Sequence, residues 1–166
     1  MTQLLLGVLL VWPAEGHAQS TVDEKMRTAI ERGVKVLERG ARIYPTNRQC
    51  FSCHHQTLPL LATLSAERAG VATDGELRKS IVEFTRKSFE RRRDKLLSGR
   101  AVEGAGLTVG YGLWTLELAS SEPDELTDAM AHNLIEQQEE DGHWGPEAIR
   151  PPMEESRVIC TVLAAS

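Results

Sequence analysis

Apolar residues return every three or four positions along nearly the whole chain, and nowhere in sustained alternation. Val22, Met26, Ile30, Val34, Leu37 and Ala41 mark one face of a first helix. Leu58, Leu61, Ala62, Ser65, Ala66 and Ala69 mark a shorter second helix, which Gly70 closes. Leu77, Ile81, Phe84 and Ser88 open a third, whose far end is rich in arginine, and Leu107, Tyr111, Trp114 and Leu118 form a fourth stripe. Ala129, Met130, Leu134 and Ile135 follow behind Pro123, a residue that a helix start tolerates, and a sixth helix begins near Glu154. A spacing of about 3.6 residues places such positions on one side of a helix, whereas a strand needs a period of two. The pattern predicts an all-α domain, and its stripes predict core rather than sites. Two loops are long: Tyr44–Gln56, and Asp141–Pro152, which is rich in Gly and Pro. Long loops on a helical scaffold are where binding residues gather.

The N-terminus reads as a secretory leader over residues 1–18. An apolar run, Leu4 to Trp12, is followed by Pro13 and then by Gly16-His17-Ala18, whose small residues suit cleavage after Ala18. The run is shorter than the roughly 20 residues a membrane-spanning helix needs. Nothing later is apolar enough to cross a bilayer, so a secreted or periplasmic product without a membrane span is expected. Residues 19–166 then form one helical domain with 23 acids against 19 bases. That balance argues against nucleic-acid binding. Charge is unevenly spread: Arg78–Arg100 holds nine bases and three acids, and Glu117–Glu155 holds twelve acids and one base. A basic helix face could dock an acidic redox partner, although a solvated face is the commoner meaning of such a run.

The first long loop holds Cys50-Phe51-Ser52-Cys53-His54. C-x-x-C-H is the attachment signature of a c-type haem: two thiols three residues apart can form thioethers to one porphyrin, and the following histidine ligates the iron. Cys50 and Cys53 are therefore the expected attachment residues and His54 the expected proximal ligand. An exported chain satisfies the compartment that this chemistry requires. Zinc is the alternative occupant, with Cys50, Cys53 and His54 or His55, but a closed site needs four ligands. A C-x-x-C redox or structural disulfide is a further alternative. His55 adjoins His54 and cannot reach the opposite face of the same iron. More distant ligands would be Met26, Met130, Met153, His132 or His143, and five-coordinate iron is equally compatible with the sequence. Cys160 is left over, and its apolar neighbours predict a buried thiol.

The second long loop carries a recognisable pattern. Leu134, Gln138, Gly142 and Trp144, in the order Leu-x3-Gln-x3-Gly-x-Trp, resemble the QW repeat of the squalene cyclase and prenyltransferase superfamily. The first helix holds the opening half of such a repeat in Arg32-Gly33 and Val36-Leu37, but Ala41 stands where the glutamine would be. With Cys-x-x-Cys-His-His-Gln-x-x-Leu-Pro and Arg150-Pro151-Pro152-Met153-Glu154, the chain is similar to exported bacterial prenyltransferase/squalene-oxidase repeat proteins over residues 25–166. The resemblance implies helical hairpins of an α/α toroid. In such repeats the glutamine helps close a helix end and the tryptophan packs on the neighbouring hairpin, so Leu134, Gln138, Gly142 and Trp144 are expected to be structural.

A complete ring needs about twice this length, and the chain ends at Ala164-Ala165-Ser166 within an apolar pattern. An incomplete toroid that exposes apolar surface, and so self-associates, is the expectation. The Asp-x-Asp-Asp acid of squalene cyclases does not occur, and Val158 stands where the protein prenyltransferases carry their zinc-binding aspartate, two residues before Cys160. The balance leans away from an enzyme. The reading favoured by the sequence is a c-type haem protein in electron transfer or redox sensing. A zinc- or disulfide-bearing helical-repeat binding module and a truncated terpene cyclase relative are the alternatives.

Overall fold

A computed structural model describes residues 16–146 and 156–165, with side chains from residue 23 onward. Of the leader expected over 1–18, residues 1–15 lie outside this range, as do Met153 and the expected helix start near Glu154. The described residues are all-α: α1 (Gly16–Asn47), α2 (Thr57–Arg68), α3 (Gly75–Glu90), α4 (Arg93–Leu97), α5 (Ala105–Leu118), α6 (Glu125–Glu136) and α7 (Arg157–Ala165). None of these helices is long and apolar enough to cross a membrane.

Helix α5 is the centre of the packing, touching α2, α3, α6 and α7. Its sequence, Ala-Gly-Leu-Thr-Val-Gly-Tyr-Gly-Leu-Trp-Thr-Leu-Glu-Leu, is apolar nearly all round, which suits a helix with neighbours on every side. Two of its glycines set how closely those neighbours come. A Cβ at Gly110 would lie 2.1 Å from the Leu163 carbonyl oxygen of α7, and one at Gly112 would lie 2.3 Å from the Phe89 ring of α3. Glycine inside a helix costs about 0.5–1 kcal/mol relative to alanine. Here that cost is offset by close packing, against the α7 backbone at Gly110 and the Phe89 ring at Gly112, that a side chain would not permit.

The connections α2–α3 and α5–α6 repeat one another. Each has six residues between its helices. The second residue of each is at positive φ, Gly70 at +74° and Ser120 at +55°. The Gly70 and Ser120 amides donate to Glu67 and Glu117, and the next amides, of Val71 and Ser121, donate to Ala66 and Leu116. Both ladders close the last turn by reaching back over it, the usual way to satisfy carbonyls at a helix end. Each connection then ends in an aspartate N-cap, Asp74 accepting from the Glu76 amide and Asp124 from those of Leu126 and Thr127. An arginine from another helix holds each capping carboxylate, Arg42 on Asp74 and Arg86 on Asp124.

Several registers differ from those expected. In α1, among the described side chains of the expected stripe, Val34 and Ala41 are buried, while Met26, Ile30 and Leu37 are exposed. There the neighbouring connection meets the helix through polar groups, with Arg27 donating to the Gly70 carbonyl. In α2 the buried face is Thr57, Pro59, Leu60, Thr63 and Ala66 rather than Leu58, Leu61, Ala62, Ser65 and Ala69. The helix is apolar on most sides, so periodicity alone does not fix its rotation. Thr57 does: its hydroxyl is 2.7 Å from that of Thr115 and 3.2 Å from the Tyr111 carbonyl, both on α5. The arginine-rich end expected on the third helix lies beyond α3, with Arg91 and Arg92 in a turn and Arg93 opening the separate α4; α1 runs through Tyr44 and Pro45 to Asn47, and Ile135 of α6 is exposed.

Candidate functional site

The C-x-x-C-H residues lie in the connection between α1 and α2, held at both ends. At the start, α1 is closed by the Thr46 and Asn47 side chains, which donate to the Ile43 carbonyl at 2.8 and 3.1 Å. The Gln49 carbonyl is then pinned to α3 by the Ser88 hydroxyl and the Arg91 guanidinium. At the far end, the His55 and Gln56 amides both donate to the Ser52 carbonyl at 3.0 Å, and the Ser52 amide donates to Gln56 Oε1 at 2.7 Å. The Leu58 amide reaches back to the Cys53 carbonyl at 3.0 Å, so Ser52–Gln56 forms a turn that runs directly into α2.

That turn separates the two histidines. Cys50, Cys53 and His54 line a cavity of about 240 Å³, and His55 does not. His54 Nδ1 lies 3.5 Å from the Cys53 sulfur, which leaves Nε2 to act as a ligand. His55 turns back against α1, stacking on Tyr44 with ring centroids 4.3 Å apart, and its Nδ1 is 3.1 Å from the Ser52 hydroxyl. Burial, and to a lesser extent the neighbouring His54, lower its pKa, which keeps it neutral near pH 7.

The opposite wall of the cavity comes from α3 and α5. Phe89, Leu107 and Tyr111 supply apolar area there, and Phe51 packs on Phe89 with centroids 5.3 Å apart. The Tyr44 hydroxyl is hydrogen-bonded to the Cys50 sulfur at 3.3 Å, and burial together with that contact pushes its pKa up to about 12. The phenol therefore stays protonated. None of the three cysteines forms a disulfide: Cys50 is exposed, Cys53 is half-buried, and Cys160 is buried in the core as expected.

Arg92 and Glu103 stand at the polar edge of the cavity. Arg92 Nε donates to Glu103 at 2.8 Å, and its other nitrogen donates to the Ser88 carbonyl. Hydrogen bonds from Arg92, from Glu103's own backbone and from Lys95 hold the Glu103 carboxyl down to about 2. A depressed carboxyl stabilises the fold above its unfolded pKa and loses that contribution as pH falls through the folded one. Glu103→Gln is therefore expected to lower stability near pH 7 by less than about 1 kcal/mol, since the pair is exposed. The difference from the parent protein should shrink between pH 4.5 and about 2, as read by urea unfolding across pH. A difference independent of pH would contradict the pairing.

The donor set suits a c-type haem in kind. Two thiols and one histidine face one cavity with an apolar far wall. The volume is below the roughly 300–1,000 Å³ of pockets that enclose drug-sized ligands, so this cavity could take only one edge of a tetrapyrrole. Among the described residues, no three His, Cys, Asp or Glu side chains are grouped so as to hold a metal ion. Of the more distant ligands considered from sequence, Met26 and His132 are exposed, Met130 is fully buried, and His143 is bound to the Asp141 carboxylate. None of these four lines the cavity.

The second loop is a brace. The Gln138 carboxamide donates to the Gly142 carbonyl at 2.9 Å across a turn in which Gly142 adopts φ +88°. Trp144 is buried, donates from its indole to the Leu134 carbonyl at 2.8 Å, and lies against Gly106 of α5. Leu134 is buried in the same core. The glutamine thus closes the turn behind α6, and the tryptophan packs back on α5, the helix that precedes α6.

Six of the nine bases between Arg78 and Arg100 are tied to carboxylates. Asp124 and Glu125, from the acidic second half, take Arg86 and Arg93. Most of the basic run is therefore paired within the fold, with two of its partners drawn from the acidic half. Sequence reasoning missed Tyr44, Phe89, Arg92 and Tyr111 as cavity residues, because only the packing of α1, α3 and α5 brings them to the loop. Compared with family models, curated proteins and solved structures, the chain matches none.

Proposed function

We propose that this chain is an exported c-type haem protein on an α/α helical-repeat scaffold of the squalene cyclase kind, serving one-electron transfer or redox sensing. The observation that carries the reading is that Cys50, Cys53 and His54 face one cavity while His55 is turned away onto Tyr44. Cys50 and Cys53 would hold the porphyrin as thioethers, and His54 would supply the iron ligand through Nε2. The bound haem would contribute reversible one-electron chemistry. Around it, Phe51, Phe89, Leu107 and Tyr111 exclude water from the attachment edge, and Tyr44, protonated throughout the physiological range, orients Cys50.

Zinc is the weaker reading, because a closed site requires four converging ligands and, among the described residues, Cys50, Cys53 and His54 are the only three of the candidate ligands that line the cavity. The repeated connections with Asp74 and Asp124, and the brace of Gln138 and Trp144, support the helical-hairpin scaffold. An α/α toroid arrangement of the hairpins remains part of this proposal. So does self-association, which the exposed Val158, Val162 and Ile135 favour. Export rests on the leader at residues 1–18. Metal analysis of the purified protein tests the assignment: iron near one per chain is expected, and zinc in its place would overturn it.

A further inference from the structure

We infer that the groove between α1 and α3 is a second binding site, for an organic carboxylate carrying a compact apolar body. The groove has a volume of about 680 Å³, within the roughly 300–1,000 Å³ of small-molecule sites, and shares no lining residue with the thiol cavity. Its floor is apolar: Leu77 and Ile81, each 2% exposed, with Phe84 beside them. Its rim is basic. Arg48, Lys87 and Arg91 face Glu83 as the only acid in the lining. Arg42 is also in the lining but is taken by Asp74, and Arg91 donates to the neutral Gln49 carbonyl, which leaves its charge uncompensated.

A second observation points to an acceptor. Gln56 lines the groove, is 1% exposed and holds the Ser52 amide through Oε1, yet its Nε2 donor has no partner. A buried donor left unpaired is destabilising, and an anionic acceptor would satisfy it. Carboxylate chemistry uses all three features: the charge meets Arg48 and Lys87, an oxygen meets the amide, and the body covers Leu77, Ile81 and Phe84. Inorganic phosphate would leave the apolar floor uncovered.

Two sources supply this chemistry, a free organic acid and the propionates of a bound porphyrin, and one experiment separates them. Hexanoate is titrated calorimetrically at low salt into the full chain loaded with haem, and into the haem-free Cys50→Ser/Cys53→Ser form. Saturable binding to both forms assigns a free acid, and binding to the haem-free form alone assigns the propionates. In either case 1-hexanol and inorganic phosphate should bind about tenfold or more weaker. Arg48→Gln with Lys87→Gln, both away from the core, should weaken hexanoate by about the same factor. Absence of saturable binding to the haem-free form, or binding there that the double substitution leaves unchanged, would overturn the inference. Both overturning results are read on the haem-free form alone, so they stand whether or not haem is the natural occupant of the other cavity.

Discussion

Replacing Cys50 and Cys53 together by serine is expected to abolish covalently bound haem, whereas Cys160→Ser should leave it intact. Attachment needs thiols, and a serine hydroxyl does not add to a vinyl group under the same conditions. The two positions should tolerate the change structurally, since Cys50 is exposed, Cys53 is half-buried and neither forms a disulfide. Helical content should therefore be preserved, which separates loss of the cofactor from loss of the fold. Each single variant keeps one thiol and should retain part of the attachment. Haem staining on a denaturing gel reads the result, and stain of unchanged intensity in the double variant would exclude thioether attachment at this loop.

Trp144→Ala should cost about 3–5 kcal/mol, the usual range for removing a large buried aromatic side chain. That is a large part of the roughly 5–15 kcal/mol that holds a domain together. Trp144 is 8% exposed, and its indole bonds the Leu134 carbonyl and presses on Gly106, two residues after the left-handed Gly104 that starts α5. The same end of α5 supplies Leu107 to the thiol cavity, so the brace and the site share a helix. Gln138→Ala removes only an exposed side chain and its bond to Gly142, and should cost about 1 kcal/mol or less. Urea unfolding of the two variants measures the contrast. Equal effects, or a Trp144→Ala loss below about 1 kcal/mol, would contradict the packing described.

The helix content was legible because each stripe repeats over several turns, and the buried character of α5 follows from its lack of a polar face. Rotation was less legible where apolar residues cover most of a helix. In α2 a hydroxyl pair, Thr57 with Thr115, chooses the face, and hydropathy carries no trace of it. The Glu-x-Ala-Gly and Glu-x-Ala-Ser segments, each followed by aspartate four residues after the small residue, do signal the repeated connections once the structure shows what to align. At the site, spacing alone pointed to the loop, the two thiols and His54, and the structure places those three side chains on one cavity. The fate of His55 needed the stacking partner on α1, and the walls needed helices distant in sequence. The ion pairs within the basic run were not legible either, because partners such as Asp124 and Glu125 come from a helix distant in sequence and the residue before it.

The most direct measurement is the reduced-minus-oxidised absorption spectrum of the full chain, exported from a host with cytochrome c maturation. The account predicts a sharp α-band that stays with the polypeptide through acid-acetone extraction, marking haem held by Cys50 and Cys53. A colourless protein, or pigment that the extraction removes, would contradict it.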